Sequence, residues 1–420
     1  MDNKKGQFEK KDNFSQLINS NRLEILFLFV LILNFFGSHW TWLFWQYNSF
    51  IAKTIVILLY LPFFLVILLY IKKVIRERCP NKSLLLFSIY SIVLVLIRFL
   101  SGTEYMETIY CTVIFLGSSA LLLFITNRNF NNTKLLLITC LGVVNIYWLG
   151  YTFLLHNVFE YSPININFIV AIIIILLPPC VLSINEENNK LQITDVLLIL
   201  SGVSLAISGS RLGFSLACIE VVLVLLFIRK DKKLFKRILA IMAVVAIATS
   251  TLFVLDIYAT RVYLARELWY ITPLQEYVES TTGNEIADQI ERSDVGRKKL
   301  MQHGLNEFCK NPILGTGDVY YKVKMTDSYT ASQSSHNFII ESLVCYGIIG
   351  CVLMGWLCYV ILKKILSLIH SKIKRKMLYL TVGAFILMCS FQPLFFNSIT
   401  SVTMCISLYL ILYLDKDEPI

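Results

Sequence analysis

His336 is the side chain in this sequence that is best placed to move a proton. The longest polar segment of the chain ends in Ser334-Ser335-His336-Asn337, and an apolar helix from Phe338 to Val360 follows directly. Histidine is the one side chain whose unperturbed pKa lets it take or give a proton near neutral pH. As a general base, His336 would take a proton from an attacking hydroxyl.

Two other interpretations of His336 stay open at this point. As a metal ligand it lacks companions, because His303 is the only other histidine in the polar segment and no clustered carboxylates accompany it. As a capping or interfacial residue it would have no chemical role. Asn337 beside it and the arginines upstream in the same polar segment favour the general base, and neither a metal nor another cofactor is predicted.

Arg211 is the first of two arginines that could bind an anion. It follows the turn Ser208-Gly209-Ser210 between two apolar runs. An arginine at membrane depth is costly unless it is paired or functional. Its planar fork suits the oxygens of a phosphate. The alternative is an interfacial arginine that contacts lipid headgroups.

Arg297 is the second arginine and opens an amphipathic segment. Apolar residues follow it at helical spacing: Leu300, Met301, Leu305 and Phe308. With Ser293 or Asp294 as the N-cap, Arg297 would lie in the first turn, where the helix dipole attracts an anion. Asn311-Pro312 should end this helix. The alternative is a solvated basic face.

Five further polar residues are candidates for supporting roles. Asn337 would cap the following helix or orient His336, and Ser210 and Arg266 would support the anion site. Arg98 and Glu220 lie inside apolar runs, where a charge marks a functional candidate by default. An ion pair between Arg98 and Glu220 is the slightly favoured interpretation.

The composition identifies a membrane protein. Hydrophobic residues make up 56% of the 420 residues, the mean hydropathy is +0.67, and apolar runs of membrane-spanning length recur. The net charge of +10 lies in short clusters between these runs, as the positive-inside rule requires. This placement argues against a nucleic-acid partner.

The predicted fold is all-α, a polytopic bundle of about twelve transmembrane helices with one long extracytoplasmic loop between helices 9 and 10. Placing the basic loops 72–82, 229–237 and 363–376 inside puts both termini in the cytoplasm. Helices 3 to 12 are predicted over 84–100, 106–125, 135–155, 166–182, 196–208, 212–228, 238–257, 337–362, 377–395 and 399–414. The predicted divisions are a cytoplasmic tail over 1–22, helices 1–9 over 23–257, the extracytoplasmic loop with its amphipathic helix over 258–335, helices 10–12 over 336–414, and a cytoplasmic tail over 415–420.

An ordered set of motifs resembles the superfamily of O-antigen ligases and Wzy-type polysaccharide polymerases. The set is the turn Ser208-Gly209-Ser210-Arg211, then Gly296-Arg297, Asn311-Pro312-Ile-Leu-Gly315-Thr-Gly317, His336-Asn337 and Gly347-Ile-Ile-Gly350. The resemblance covers roughly Ile193 to Leu362. No single motif in it is specific, but the ordered set on a twelve-helix plan is fairly specific.

The resemblance implies a metal-independent glycosyltransferase of the bacterial cytoplasmic membrane. The donor would be a polyprenyl-diphosphate-linked oligosaccharide and the acceptor another glycan, with membrane lipid, a flippase and a chain-length regulator as further partners. The family's diphosphate-binding arginines correspond to Arg211 and Arg297, and its essential histidine corresponds to His336. Arginines at the leaving diphosphate would act as an oxyanion hole does.

Three functions compete on this reading. A polysaccharide polymerase of O-antigen or capsule is preferred over an O-antigen ligase that transfers the glycan to lipid A-core. A flippase of the same lipid-linked glycan is the rival from another class. A transporter should show repeated halves or paired discontinuous helices, and the sequence shows neither.

Overall fold

Apolar runs form most of the helices in the described part of the chain. The structure is a computed structural model that describes residue 68 and residues 81–103, 105–125, 133–150, 152, 166–184, 191–255, 285–319, 321–326, 329–392, 395–396 and 398–414. Predicted helices 1 and 2, the two tails and Arg266 lie outside the described residues. The predicted domain divisions and the count of about twelve spans therefore stay predictions.

In the described ranges, eleven helices and one β-hairpin follow one another. The helices are α1 Lys82–Ser101, α2 Met106–Ile125, α3 Thr133–Gly150, α4 Ile166–Leu182, α5 Ile193–Ala206, α6 Arg211–Ile228, α7 Lys232–Leu255, α8 Glu285–Lys310, α9 Phe338–Leu368, α10 Lys372–Phe391 and α11 Ser398–Tyr413. The antiparallel strands β1 Tyr321–Thr326 and β2 Tyr329–Gln333 lie between α8 and α9. Helices therefore dominate as predicted, and the hairpin is an addition that the sequence analysis did not foresee.

Predicted helices 3 to 12 are confirmed over the described residues, with ends that differ by a few residues. Five of them are long and apolar enough to cross a membrane by length and composition, namely α1, α2, α6, α7 and α9. The largest difference at a helix start is in α7, which begins at Lys232 and not at residue 238. The Asp231 carboxylate accepts the N–H of Leu234 at 3.1 Å, so it caps a first turn that begins with two lysines, which are good helix formers.

Helix α4 forms the centre of the bundle. It packs against α3, α5, α6, α10 and α11, and its residues from Ile169 to Leu176 are all buried. A helix that is apolar on every side is expected in such a position. Pro178 and Pro179, predicted to kink or end this helix, lie in its last turn.

Pro179 leaves one backbone acceptor of α4 without its helical donor. Proline has no N–H, so the carbonyl of Ile175, four residues earlier, loses its usual partner. The Ser407 hydroxyl of α11 donates to that carbonyl at 2.7 Å, and both residues are fully buried. An apolar interior penalises an unpaired carbonyl, so this bond ties α11 to α4.

Substituting Ser407 with alanine should lower the thermal stability of the purified protein in detergent. The Ile175 carbonyl would lose its donor, which costs about 1–3 kcal/mol for a buried group. Ser390→Ala is the matched control, because the hydroxyl of the half-buried Ser390 bonds the Ile386 carbonyl of its own helix. Equal melting temperatures for the two variants would contradict the assigned role of Ser407.

Candidate functional site

Helix α9 is interrupted in the middle of its apolar run. Gly347 has φ 64° and ψ −173°, far from helical values. The usual bond from the Ile348 N–H to the Val344 carbonyl is replaced by two bonds to the loop 311–317. Ile348 donates to the Pro312 carbonyl at 2.9 Å, and the Val344 carbonyl accepts the Gly317 N–H at 3.0 Å. Irregular backbone inside a membrane protein persists only where such partners satisfy it.

A tyrosine satisfies another carbonyl at the same break. The Tyr90 hydroxyl of α1 donates to the Tyr346 carbonyl at 2.5 Å. Gly350 allows this approach, because a Cβ there would lie 2.7 Å from a ring carbon of Tyr90. The glycines of the Gly347–Gly350 motif are therefore needed so that α9 can approach the loop and α1 closely.

Gly315 and Gly347 face each other across this contact. Both have positive φ, 71° and 64°, and a Cβ on Gly315 would collide with the Val344 carbonyl. A Cβ on Gly347 would collide with the Ile313 carbonyl. No side chain can be added at either position without separating the loop from the helix.

Gly347→Ala should prevent stable folding or sharply lower the melting temperature. The backbone conformation alone costs about 1–3 kcal/mol for a non-glycine residue, and the collision with Ile313 adds to it. Gly355→Ala, in the same helix, is the control because its added Cβ meets nothing within 4 Å. Thermal unfolding of both variants in detergent measures the difference, and a stable Gly347→Ala protein would refute the packing described.

The buried Arg98 and the half-buried Glu107 anchor the segment that follows α8 to the preceding helices. The Arg98 guanidinium of α1 donates to the Leu314 carbonyl at 2.9 Å and to the Thr108 hydroxyl. The Glu107 carboxylate of α2 accepts the Val319 N–H at 2.6 Å. The predicted ion pair between Arg98 and Glu220 is wrong, since both carboxylate oxygens of Glu220 lack a hydrogen-bond partner among the described residues.

The start of α9 is held by two side chains of its own. Asn337 is the N-cap, as predicted, and its carboxamide oxygen accepts the N–H groups of Ile339 and Ile340 at 3.0 and 3.2 Å. The buried Glu341 carboxylate accepts the Ser334 hydroxyl and the N–H groups of His336 and Asn337. These bonds shape the backbone immediately before the helix.

His336 itself adopts a strained backbone conformation. Its φ of 56° lies in the left-handed region, and it is the one non-glycine residue with positive φ among the described residues. Such a conformation costs on the order of 1–3 kcal/mol and persists only when its surroundings enforce it. The Glu341 carboxylate and the Asn337 cap provide that enforcement, so the imidazole has a defined direction.

Arg297 and Gln392 lie beside the His336 imidazole. Burial and the nearby Arg297 charge lower the pKa of His336 to about 4, and a hydrogen bond with the Gln392 side chain works in the opposite direction. Gln392 follows the last residue of α10 and is 3% exposed. The histidine is therefore neutral at physiological pH and lies within the electrostatic influence of the Arg297 cation.

The position of Arg297 within its helix differs from the prediction. Helix α8 begins at Glu285, so Arg297 lies near its middle and gains no anion site from a helix N-terminus. The buried face of the helix is also different and consists of Gly296, Leu300, Gly304 and Glu307. Met301 and Leu305 are exposed. The helix ends at Lys310, directly before Asn311-Pro312, as predicted.

Arg211 begins α6 after the predicted tight turn. Gly209 has φ 66°, and the Ser210 hydroxyl accepts the Gly213 N–H at 3.3 Å as the N-cap. Ser210 also donates to the Asn167 carboxamide of α4 at 3.0 Å. The half-buried Arg211 is therefore the first residue of a helix whose N-terminus is capped. Helix α6 packs against α10, the helix that leads to Gln392.

One comparison with known proteins bears on this region. The family model described as O-antigen ligase matches residues 196–355, which run from α5 into α9 and include Arg211, Arg297 and His336. Residues 196–355 are therefore similar to the O-antigen ligase superfamily. No curated protein and no solved structure matches the chain. The superfamily supports a multi-pass membrane enzyme of O-antigen ligase or polymerase type.

Two residues next to the histidine of this O-antigen ligase domain were missed from sequence. Glu341 is an acidic residue in the first turn of a predicted membrane helix, and Gln392 is a lone polar residue at the end of another. Polar groups in such runs are candidates by default, and that rule would have found both. Their contact with His336 depends on the packing of α9 against α10, which the sequence does not state.

The pKa of His336 should rise when the Arg297 charge is removed. In the wild type the imidazole should take up a proton only as the pH falls to about 4. Arg297→Gln should move this titration upward, toward the usual value of about 6.5. Histidine-selective NMR of the labelled protein in micelles measures it, since the chain has 5 histidines and His336→Gln assigns the signal. An unchanged pKa in Arg297→Gln would contradict the proximity of the two groups.

Proposed function

We propose that this protein is a polysaccharide polymerase that uses a polyprenyl-diphosphate-linked oligosaccharide as donor. The hydroxyl of another lipid-linked repeat attacks the anomeric carbon of the donor glycan. A new glycosidic bond forms, the bond between that carbon and the diphosphate breaks, and the lipid diphosphate leaves. The hydroxyl proton passes to the imidazole of His336, and no metal takes part.

The observation that carries the proposal is the neutral imidazole of His336 beside the Arg297 cation. A general base must be unprotonated before it can take a proton, and the lowered pKa ensures this at neutral pH. A side chain with a pKa of about 4 is by itself a weak base. A bound diphosphate would offset the Arg297 charge and raise the pKa of His336, so basicity would increase when the substrate is present.

Arg211 and Arg297 would bind the leaving diphosphate. Each guanidinium can hold two phosphate oxygens with a planar fork and can stabilise the negative charge that grows as the bond breaks. Successive helices of a bundle alternate in direction, so the start of α6, the start of α9 and the end of α10 would lie on one side of the membrane. The two arginines, His336 and Gln392 would then share that side.

That side would be the outer face of the bacterial cytoplasmic membrane. The basic segments 229–237 and 363–376 lie at the opposite ends of these helices, which the positive-inside rule assigns to the cytoplasm. The α8 segment and the β-hairpin would cover the site from outside. Asn337 and Ser210 would support it through the caps already described.

An O-antigen ligase is the second candidate. The family model that matches the chain carries this description, and the chemistry at His336 would be the same. A ligase differs in its acceptor, which would be lipid A-core and not a second lipid-linked repeat. A flippase of the same lipid would need no general base.

Purified protein incubated in detergent with lipid-linked repeat extracted from the source bacterium should form longer glycans, seen as a ladder on a gel. His336→Ala and His336→Gln should reduce the rate about 10²–10⁴-fold, because positioned proton transfer contributes that factor. Arg211→Lys and Arg297→Lys should each reduce it about tenfold or more, since a bidentate charge-assisted contact is lost.

His303→Ala and Arg229→Lys are the matched controls and should keep wild-type rates. His303 lies on the same helix as Arg297 but pairs with Glu307, and Arg229 is exposed at the far end of α6. A ladder that appears only when lipid A-core is added would identify a ligase. No product with either acceptor would refute both transferases and favour the flippase. Wild-type rates in both His336 variants would refute the general base and direct the search to carboxylates of the predicted extracytoplasmic loop, namely Glu267, Asp294 or Asp318.

A further inference from the structure

A groove between α5 and α7 lies far along the chain from the His336 site. It is an open groove with a volume of about 520 Å³. It is lined by two groups of residues, a charged group of Asp195, Lys233, Lys236 and Arg237, and an apolar group of Leu191, Ile199, Leu234, Ala240, Ile241 and Val244. This volume lies within the range of about 300–1,000 Å³ that is usual for sites that bind small molecules. The groove therefore has room for a ligand.

Charge and hydropathy are arranged along the length of the groove. On α7, Lys233, Lys236 and Arg237 are followed at helical spacing by Ala240 and Val244 on the same face. At about 1.5 Å per residue, the apolar wall continues for roughly 12 Å beyond Lys236. The groove has a cationic end and an apolar interior, which is the pattern of a phospholipid with its charged headgroup and its acyl chain.

An ion pair lies at one end of the groove, and a close contact between α5 and α7 lies beyond its other end. Arg237 donates to both carboxylate oxygens of Asp195, with the Nε–Oδ1 distance 3.0 Å, so their charges offset each other. Beyond Val244, Gly202 of α5 packs against Val245 of α7, and a Cβ on Gly202 would lie 2.7 Å from Val245. The cavity thus lies between an ion pair and a tight helix contact.

Two lysines provide the net positive charge of the groove. Lys233 and Lys236 are exposed, and neither forms an ion pair with any residue that the structure describes. The surrounding face of α7 is exposed and apolar, with Leu239, Met242 and Ile247. A ligand here would meet lipid on one side and two ammonium groups at one end.

We propose that this groove binds an anionic phospholipid, with the phosphate at Lys233 and Lys236 and one acyl chain along Ala240, Ile241 and Val244. Basic pockets between transmembrane helices recognise anionic headgroups by this combination of features. A zwitterionic lipid has the same acyl chains but carries a positive group that the lysines repel, so the groove distinguishes lipids by headgroup charge. The bound lipid would join α5 to α7 at the basic end of the bundle.

Native mass spectrometry of the full-length protein in detergent tests this site. Titration with phosphatidylglycerol should give a tightly retained adduct, and phosphatidylcholine with the same acyl chains should bind roughly 30-fold more weakly, the factor expected from two lysines near one headgroup. Lys233→Gln combined with Lys236→Gln should remove most of this preference. The control variant combines Lys363→Gln with Lys372→Gln and should keep the preference for phosphatidylglycerol, because both lysines are exposed and lie outside the groove.

Substitutions that enlarge a side chain without changing its charge test whether the acyl chain lies in the groove. Ala240→Phe should fill the groove and reduce phosphatidylglycerol retention, whereas Ala246→Phe on the opposite face of α7 should not. Equal retention of the two lipids, or loss of the adduct in the Lys363/Lys372 variant as well, would overturn the proposal. An adduct that survives Ala240→Phe but is displaced by inorganic phosphate would show an anion site without a lipid and would also overturn it.

Discussion

The pairing of the loop 311–317 with the break in α9 is the interaction on which the rest of the site depends. A helix that stops in an apolar environment leaves N–H and carbonyl groups without partners, and each would be costly there. The loop supplies partners to Val344 and Ile348, and Tyr90 supplies one to Tyr346. The break and the loop are stable only together, because each satisfies the backbone of the other.

This pairing determines where Arg297 and His336 lie relative to each other. Helix α8 ends at Lys310, immediately before the loop, so the loop determines where Arg297 lies relative to α9. The first part of α9 begins with Asn337, so its position determines where His336 lies. Arg98 and Glu107 extend the anchoring to α1 and α2, which connects the first described helices to the O-antigen ligase region. Residues far from the imidazole therefore affect its position through backbone contacts.

The site combines a strained backbone with a neutral imidazole beside a cation. His336 in a left-handed conformation and in partial burial is unfavourable by itself, and the Glu341 carboxylate and the Gln392 side chain are the groups that offset this cost. Within the superfamily chemistry proposed here, a substrate anion would relieve the repulsion between Arg297 and a protonated imidazole. Substrate binding and proton acceptance would then be coupled through one electrostatic interaction.

The sequence by itself determined the membrane helices, the turn at Gly209, the Asn337 cap and the end of α8 before Pro312. These features depend on local physics: apolar length, the missing N–H of proline, glycine at positive φ and a carboxamide that accepts backbone N–H groups. The family motif also came from sequence, as an ordered set of residues. Even so, α7 and α10 begin at Lys232 and Lys372, before the predicted starts at residues 238 and 377, because basic residues continue a helix without being apolar.

Only the tertiary structure decided the partners of the polar groups. Arg98 binds Leu314 and Thr108 and not Glu220, Arg297 lies in mid-helix, and Gln392 reaches His336 from α10. A sequence shows that a charge is inside an apolar run, but its partner depends on which helices pack together and at what depth. The same limit applies to Gly315 and Gly347. Each must be a glycine because a Cβ would collide with backbone atoms of the other segment, and the sequence does not show that the two segments meet.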